Sequence, residues 1–259
     1  MLDTVAAKTG SRGHVFEDWL TMVVCALAGG TMEEEYLAVV AKYAAGEKGK
    51  RPVDQLAKMF STLVDIMEET RADILGDLFQ GAITYGERGQ FFTPENLCSL
   101  MGQLTGDDND AAGTRVLDPC CGSGRMLLVA ANVNRNRLFV GQDADLRCVK
   151  ITAINLALHN LYGYAIWGNS LANERKLVYR TRFNGRGVVR QVKPDEVPAL
   201  SEAELASLPS CPGVLTRRRQ SSSRATPQTL RGADPPSEGT CRRRRAGQGI
   251  AACSPGKPW

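Results

Sequence analysis

A chain of 259 residues with 43% apolar content is long enough to bury a core, most simply one α/β domain with a helical segment attached. It has no apolar run near the roughly 18–20 residues of a membrane span. Asp3 and Lys8 also break any continuous apolar leader, so a cytoplasmic location is expected. The net charge of +4 is uneven: residues 211–259 carry ten Lys/Arg against Asp234 and Glu238, which leaves −4 for residues 1–210. Bulk charge of the folded part therefore gives no argument for nucleic-acid binding.

In chain order, residues 13–80 read as helices. Val15, Phe16, Trp19, Leu20, Val23 and Leu27 recur at helical spacing, and Gly29-Gly30 ends that element. Thr31 with Glu34 three residues on has capping-box form, and Tyr36, Leu37, Val40 and Tyr43 follow as an apolar face. A third helical pattern runs from Val53 to Met67, and a fourth around Ala72–Phe79 leads into a glycine-marked loop, Gly81 to Gly89. Thr93 suits an N-cap and Pro94 a first helical position, with Leu97, Leu100, Met101 and Leu104 as the apolar face. From Thr114 the pattern turns to α/β. Strands are predicted at Val116-Leu117, Leu138–Gly141 and Tyr164–Trp167, and helices at Arg125–Asn132 and Leu146–His159, with Asp145 as the cap of the second. Such repetition implies a parallel sheet with right-handed crossovers. Leu177–Tyr179 and Val188–Val192 read as a further, antiparallel pair of strands around Asn184-Gly185, and Ser201–Leu208 as a short helix. Residues 210–259 read as a disordered basic tail whose composition resembles GC-rich DNA read out of frame. Without interleaved aromatics, its arginines read as a solvated run.

Eight cysteines occur without a single C-x-x-C pair, and His14 and His159 are the two histidines. Reduced, mostly buried thiols are expected, with no metal site.

The chemistry concentrates at Val116-Leu117-Asp118-Pro119-Cys120-Cys121-Gly122-Ser123-Gly124-Arg125, a strand running into a glycine turn that opens a helix. That geometry turns backbone N–H groups toward a ligand at a strand's carboxyl end. Asp143, at the end of the second predicted strand, stands where an acidic residue takes ribose hydroxyls in nucleotide-binding α/β folds.

Gln90-Phe91-Phe92-Thr93-Pro94, Asp118–Gly124, Gly141-Gln142-Asp143 and Gly168-Asn169-Ser170-Leu171 occur in one order at sensible intervals. Together they resemble the S-adenosylmethionine-dependent adenine-N6 DNA methyltransferases, particularly modification subunits of type I restriction systems. Asp73-Ile74-Leu75-Gly76-Asp77 resembles the helix that precedes F-x-T-P there, and the resemblance spans roughly residues 70–172. It implies a Rossmann-like methyltransferase core, incomplete on its C-terminal side, over 89–209, behind an N-terminal helical segment over 1–88. It implies S-adenosylmethionine as cofactor, and DNA, a specificity subunit and other restriction-modification subunits as partners, with no membrane. By the same resemblance Phe92, Thr93 and Pro94 border the methionine end of the cofactor. Asp118, Gly122 and Gly124 form the central turn, with Asp118 near the methionyl ammonium, and Asp143 binds ribose. Asn169 stands where the family usually has Asp, and its amide oxygen can accept the same hydrogen bond from the cofactor's adenine amino group.

Those enzymes also carry an (Asn/Asp/Ser)-Pro-Pro-(Tyr/Phe) segment. It hydrogen-bonds the amino group of a flipped adenine and stacks on its ring, offsetting the poor nucleophilicity of a nitrogen conjugated with the base. No such segment lies between Gly168 and Pro209. Phe183-Asn184-Gly185-Arg186 holds that position without prolines, and Asp234-Pro235-Pro236-Ser237 follows no strand and ends in serine, so no catalytic residue is assigned. The leading expectation is adenine-N6 DNA methylation. The alternative is a catalytically inactive cofactor-binding homologue or accessory subunit, and a nucleotide-dependent oxidoreductase is disfavoured by Cys120-Cys121 and by Phe92-Thr93-Pro94.

Overall fold

The computed structural model describes residues 1–84, 92–105, 114–182 and 188–197. Eight α-helices and five strands lie among them: α1 (Leu2–Thr9), α2 (Arg12–Leu27), α3 (Glu33–Ala41), α4 (Pro52–Thr70), α5 (Ile74–Leu78), α6 (Glu95–Thr105), β1 (Arg115–Asp118), α7 (Arg125–Val133), β2 (Leu138–Asp143), α8 (Leu146–Leu158), β3 (Gly163–Trp167), β4 (Leu177–Thr181) and β5 (Val189–Val192). A π-helical turn, Phe79–Thr84, extends α5. The fold class is mixed α/β.

The strands form one sheet in the order β1-β2-β3-β4-β5. The first three run parallel, with Asp118 opposite Gly141 and Asp143 opposite Trp167. β4 and β5 are each antiparallel to the preceding strand. The expected parallel sheet is therefore parallel in its first half only. No helix separates β3 from β4, and a connection of nine residues allows an antiparallel return but no crossover to a parallel neighbour. The turn at Asn184-Gly185, the helix at Ser201–Leu208 and the tail 210–259 lie outside the described residues.

Helix α8 is the centre of the packing. Ten of its residues are buried, from Cys148 to Ala157. A helix apolar nearly all round needs cover on two sides. The sheet supplies one and α2 the other, in a core that joins Phe16, Trp19 and Leu20 to Ile151, Ile154 and Tyr179. Helix α7 packs through Leu127, Leu128 and Ala131 against Phe139 and Leu156. The period of two in β2 sends its neighbours Leu138 and Val140 to the opposite face, with Tyr164, Ile166 and Val178. The indole N–H of Trp19 donates to the Leu56 carbonyl at 3.1 Å and ties α2 to α4. Among the described residues, no helix is long and apolar enough to cross a membrane.

Local capping departs from the sequence reading twice. The Thr31 hydroxyl donates back to Ala28 O at 2.9 Å, closing the turn after α2, so α3 starts at Glu33 without a side-chain cap. At α4 the Asp54 carboxylate accepts the Arg51 backbone N–H at 3.0 Å and pairs with the Arg51 guanidinium at 2.8 Å. Helix α6 is assigned from Glu95, and the Cys98 N–H bonds to the Pro94 carbonyl, which shifts the predicted start by one residue. Asp145 caps α8 as predicted, accepting the Arg147 N–H at 2.9 Å.

One buried cation sits in the α2–α8 interface. Lys150 is 6% exposed and donates to Thr21 Oγ1 at 2.8 Å. Burial pushes its pKa below the ordinary lysine value, opposed by the charge of Glu17. A lowered folded-state value means that the charged form opposes folding. This cost is relieved as pH rises from the folded pKa toward 10.5. Lys150→Met is expected to raise stability by about 1–2 kcal/mol near neutral pH. Thr21 keeps its own bond to Glu17 O, and the gain should shrink at alkaline pH. Urea unfolding at two pH values measures both.

Candidate cofactor site

Asp73 is the N-cap of α5 and is 6% exposed. Its Oδ1 accepts the Gly76 N–H and the Asn155 amide, each at 2.8 Å. Its Oδ2 accepts the Ser123 hydroxyl and, at 3.0 Å, the Arg125 Nε–H. Arg125 continues to Asp77 and, at 3.4 Å, to the Thr93 carbonyl. The Asn155 amide nitrogen also donates to Ser123 O at 2.8 Å, so its orientation is settled while its own oxygen stays buried without a partner. Gly76 is required by this crowding, since a Cβ there would lie 2.1 Å from Asp73 Oδ2 and 2.6 Å from Ser123 Oγ.

The glycine turn is thereby clamped from beneath. One turn of α8 away from Asn155, the Thr152 hydroxyl donates to Gly122 O at 2.9 Å. Gly122 and Gly124 have φ of +55° and +81°, a region that costs other residues energy. Phe92 closes on the turn: a Cβ on Gly122 would stand 2.9 Å from its ring. That ring stacks on Phe79 at 5.8 Å between centroids, and Phe79 stacks in turn on Phe16. Residues 92–94 and 118–124 are thus neighbours, as the sequence reading required.

Asp118 and Asp143 project from the carboxyl ends of adjacent parallel strands. Asp118 accepts the Cys120 N–H at 3.2 Å. Asp143 accepts the Gly122 N–H at 2.9 Å and the Asp145 N–H at 2.8 Å, so the acidic residue itself orients the turn. Burial raises the pKa of both carboxyls above the ordinary aspartate range. The charge of Asp143 adds to the rise at Asp118, and that of Asp145 to the rise at Asp143. Two partly buried anions side by side favour a cationic ligand. Asn169 lies beyond β3 and is exposed; its Oδ1 accepts the Leu171 N–H at 3.0 Å, an Asx turn that leaves one lone pair. A cavity of about 720 Å³ lies elsewhere, against β4 and β5.

Of the sequence-predicted site residues, Phe92, Asp118, Gly122, Gly124 and Asp143 converge on one turn. Thr93 reaches it through Arg125, Pro94 follows at the start of α6, and Asn169 stands at the next strand end. Gln90 and Phe91, and the Phe183-Asn184-Gly185-Arg186 segment, lie outside the described residues. The sequence reading gave no role to Asp73, Ser123, Arg125, Thr152 or Asn155. The available signal was an asparagine set between Ile154 and Leu156 in the otherwise apolar last turns of α8, residues 153–158.

Residues 70–183 match the family described as N-6 DNA Methylase. The type I restriction enzyme MjaVIII methylase subunit of Methanocaldococcus jannaschii is 29% identical over 151 residues, covering 54% of this chain and 25% of its own length. The MjaVII methylase subunit of the same organism is 27% identical over 136 residues, covering 48% of this chain and 23% of its own length. The chain therefore spans about a quarter of the curated relatives it matches. No solved structure matches it significantly.

Two outcomes follow from the geometry. Asp73→Ala removes the acceptor shared by the Gly76 N–H, the Ser123 hydroxyl, the Asn155 amide and the Arg125 Nε–H, and is expected to cost about 3–5 kcal/mol. Asp77→Ala, at a side chain 66% exposed, should cost under about 1 kcal/mol. Chemical denaturation separates the two. The raised carboxyl pKa values mean that the folded state holds protons longer than the unfolded one, so these groups' contribution falls as pH rises above 3.8. Asp118→Asn keeps the acceptor for Cys120 and removes a charge. It is expected to stabilise the ligand-free chain by about 1 kcal/mol at neutral pH while weakening ligand binding, read from melting curves.

Proposed function

We propose, from the match of residues 70–183 to the N-6 DNA Methylase family, that the chain serves S-adenosylmethionine-dependent methylation of adenine N6 in DNA, in a restriction-modification complex. The proposed core is Rossmann-like, assigned to residues 89–209, with residues 1–88 as its helical support and a cytoplasmic setting. The observation that carries the proposal is the pair of buried carboxylates, Asp118 and Asp143, at the ends of β1 and β2 beside the Gly122 turn.

These residues fit a cationic nucleoside. Asp118 would take the ammonium of the methionyl part, and Asp143, already oriented by Gly122 and Asp145, would take ribose hydroxyls. The Gly122–Gly124 turn allows close backbone approach, and Phe92 with Thr93-Pro94 would wall the methionine end. The free lone pair of Asn169 would accept from the adenine amino group. When bound, S-adenosylmethionine supplies an electrophilic methyl on its sulfonium. The side chains named here hold and orient it, and partner subunits, including one that reads the DNA sequence, would complete the assembly.

A second reading, a cofactor-binding homologue that transfers no methyl group by itself, is favoured by one observation. Between Gly168 and Pro209 the chain has no Pro-Pro-aromatic segment to receive the target adenine.

Calorimetric titration with S-adenosylmethionine is expected to show binding that Asp118→Ala weakens at least about tenfold, through removal of a charge-assisted hydrogen bond. Binding should tighten as pH rises through the carboxylate range, because the cation requires ionised Asp118 and Asp143. No heat with S-adenosylmethionine, together with a melting shift on adding NAD, would defeat the cofactor assignment. Transfer of labelled methyl to unmodified DNA by the isolated chain would reject the second reading.

A further inference from the structure

The cavity of about 720 Å³ is separate from the glycine turn and belongs to the antiparallel half of the sheet. Among the described residues, Lys176, Arg180, Arg190 and Lys193 line it with one carboxylate, Glu196, and with Met32 of the α2–α3 connection; Lys176 also pairs with Glu174 at 3.2 Å. This cluster is local, because residues 1–210 carry a net charge of −4. Arg180 and Arg190 stand directly opposite each other across β4 and β5. Arg180 lies over the Tyr162 ring at 5.4 Å and donates to its hydroxyl at 3.0 Å, while its Nε is buried with no partner. Lys193 is exposed and makes no ion pair among the described residues. From Lys176 to Arg180 the cations extend over about 13 Å of strand, at roughly 3.3 Å per residue. That spread suits an elongated polyanion better than a single phosphate.

We infer that this basic cavity is a phosphate-backbone contact for duplex DNA, lying beside the cofactor end of the sheet. The Lys176 N–H donates to the Trp167 carbonyl at 2.7 Å, which places the cavity's rim at the carboxyl end of β3, the same sheet edge that carries Asp118 and Asp143. DNA as the polyanion rests on the methyltransferase reading; the anion-binding character of the cavity does not. The contact is blind to sequence and salt-sensitive, since each neutralised phosphate releases condensed counterions.

The test is fluorescence anisotropy of the full chain with a labelled 20-bp duplex over a salt series. Lys176, Arg190 and Lys193 are all exposed, so the triple variant Lys176→Gln/Arg190→Gln/Lys193→Gln keeps the core intact. It is expected to bind at least about tenfold more weakly, with the log–log salt slope reduced by about 2–3, near 0.9 for each phosphate no longer neutralised. A second variant, Arg242–Arg245→Gln, separates the contribution of the basic C-terminal residues. Wild-type affinity and slope in the triple variant would overturn the proposal. So would binding of a poly-glutamate peptide through the same three positions with no change toward DNA. Titrating each protein with S-adenosylmethionine keeps the two readings apart. Cofactor uptake with unchanged DNA binding in the triple variant sinks the cavity alone. Weakened DNA binding in a chain that takes up no cofactor retains the cavity and sinks the cofactor assignment.

Discussion

A single buried carboxylate, Asp73, holds together three pieces of chain that are distant in sequence: its own short helix, the glycine turn with the start of α7, and α8. It caps its own short helix at Gly76 and accepts from the Ser123 hydroxyl of the glycine turn, the Arg125 guanidinium at the start of α7 and the Asn155 amide in α8. Taking a carboxylate out of water costs several kcal/mol, and only a full set of donors offsets that cost. The arrangement therefore tolerates no partial version. Arg125 passes the constraint on to the Thr93 carbonyl, so the aromatic-threonine-proline segment is held against the turn it must border. The family match begins at residue 70, three positions before this carboxylate.

The helical residues ahead of that point are structural partners of the sheet. Helix α8 carries the polar pair Thr152 and Asn155 toward the turn and an apolar surface toward α2. Without α2, Ile151 and Ile154 would face water, and burial of such side chains contributes about 1.5–3 kcal/mol each. The chain from Phe16 through Phe79 to Phe92 is a row of stacked rings from that core to the glycine turn. Packing of the N-terminal helices is thus coupled to the position of Phe92, and through it to the walls of the candidate cofactor site.

Much of this was legible in order and kind. Alternating strand and helix signals located β1, α7, β2, α8 and β3 within one or two residues, because each element carries its own apolar period and its own turn residues. Asp118 and Asp143 were readable as site candidates, since a carboxylate at a strand end beside a glycine turn has a local signature. Less legible was anything that depended on which groups meet. Thr31 has the form of a cap and bonds backward instead. The antiparallel pairing of β4 with β5 was readable from the turn residues between them, whereas the antiparallel return of β4 along β3 followed from a short connection whose direction local periodicity does not encode.

By itself the sequence determined the mixed α/β class, the succession of elements from β1 to β3 and the candidacy of Asp118, Gly122, Gly124 and Asp143, because hydrophobic period and turn chemistry are local properties. Only the tertiary structure decided that Asp73 and Asn155, 82 positions apart, share one hydrogen bond. It also decided that four cations spread over 18 positions line one cavity. Such meetings are set by how helices and strands pack, and side-chain packing at long range leaves no periodic trace in the chain.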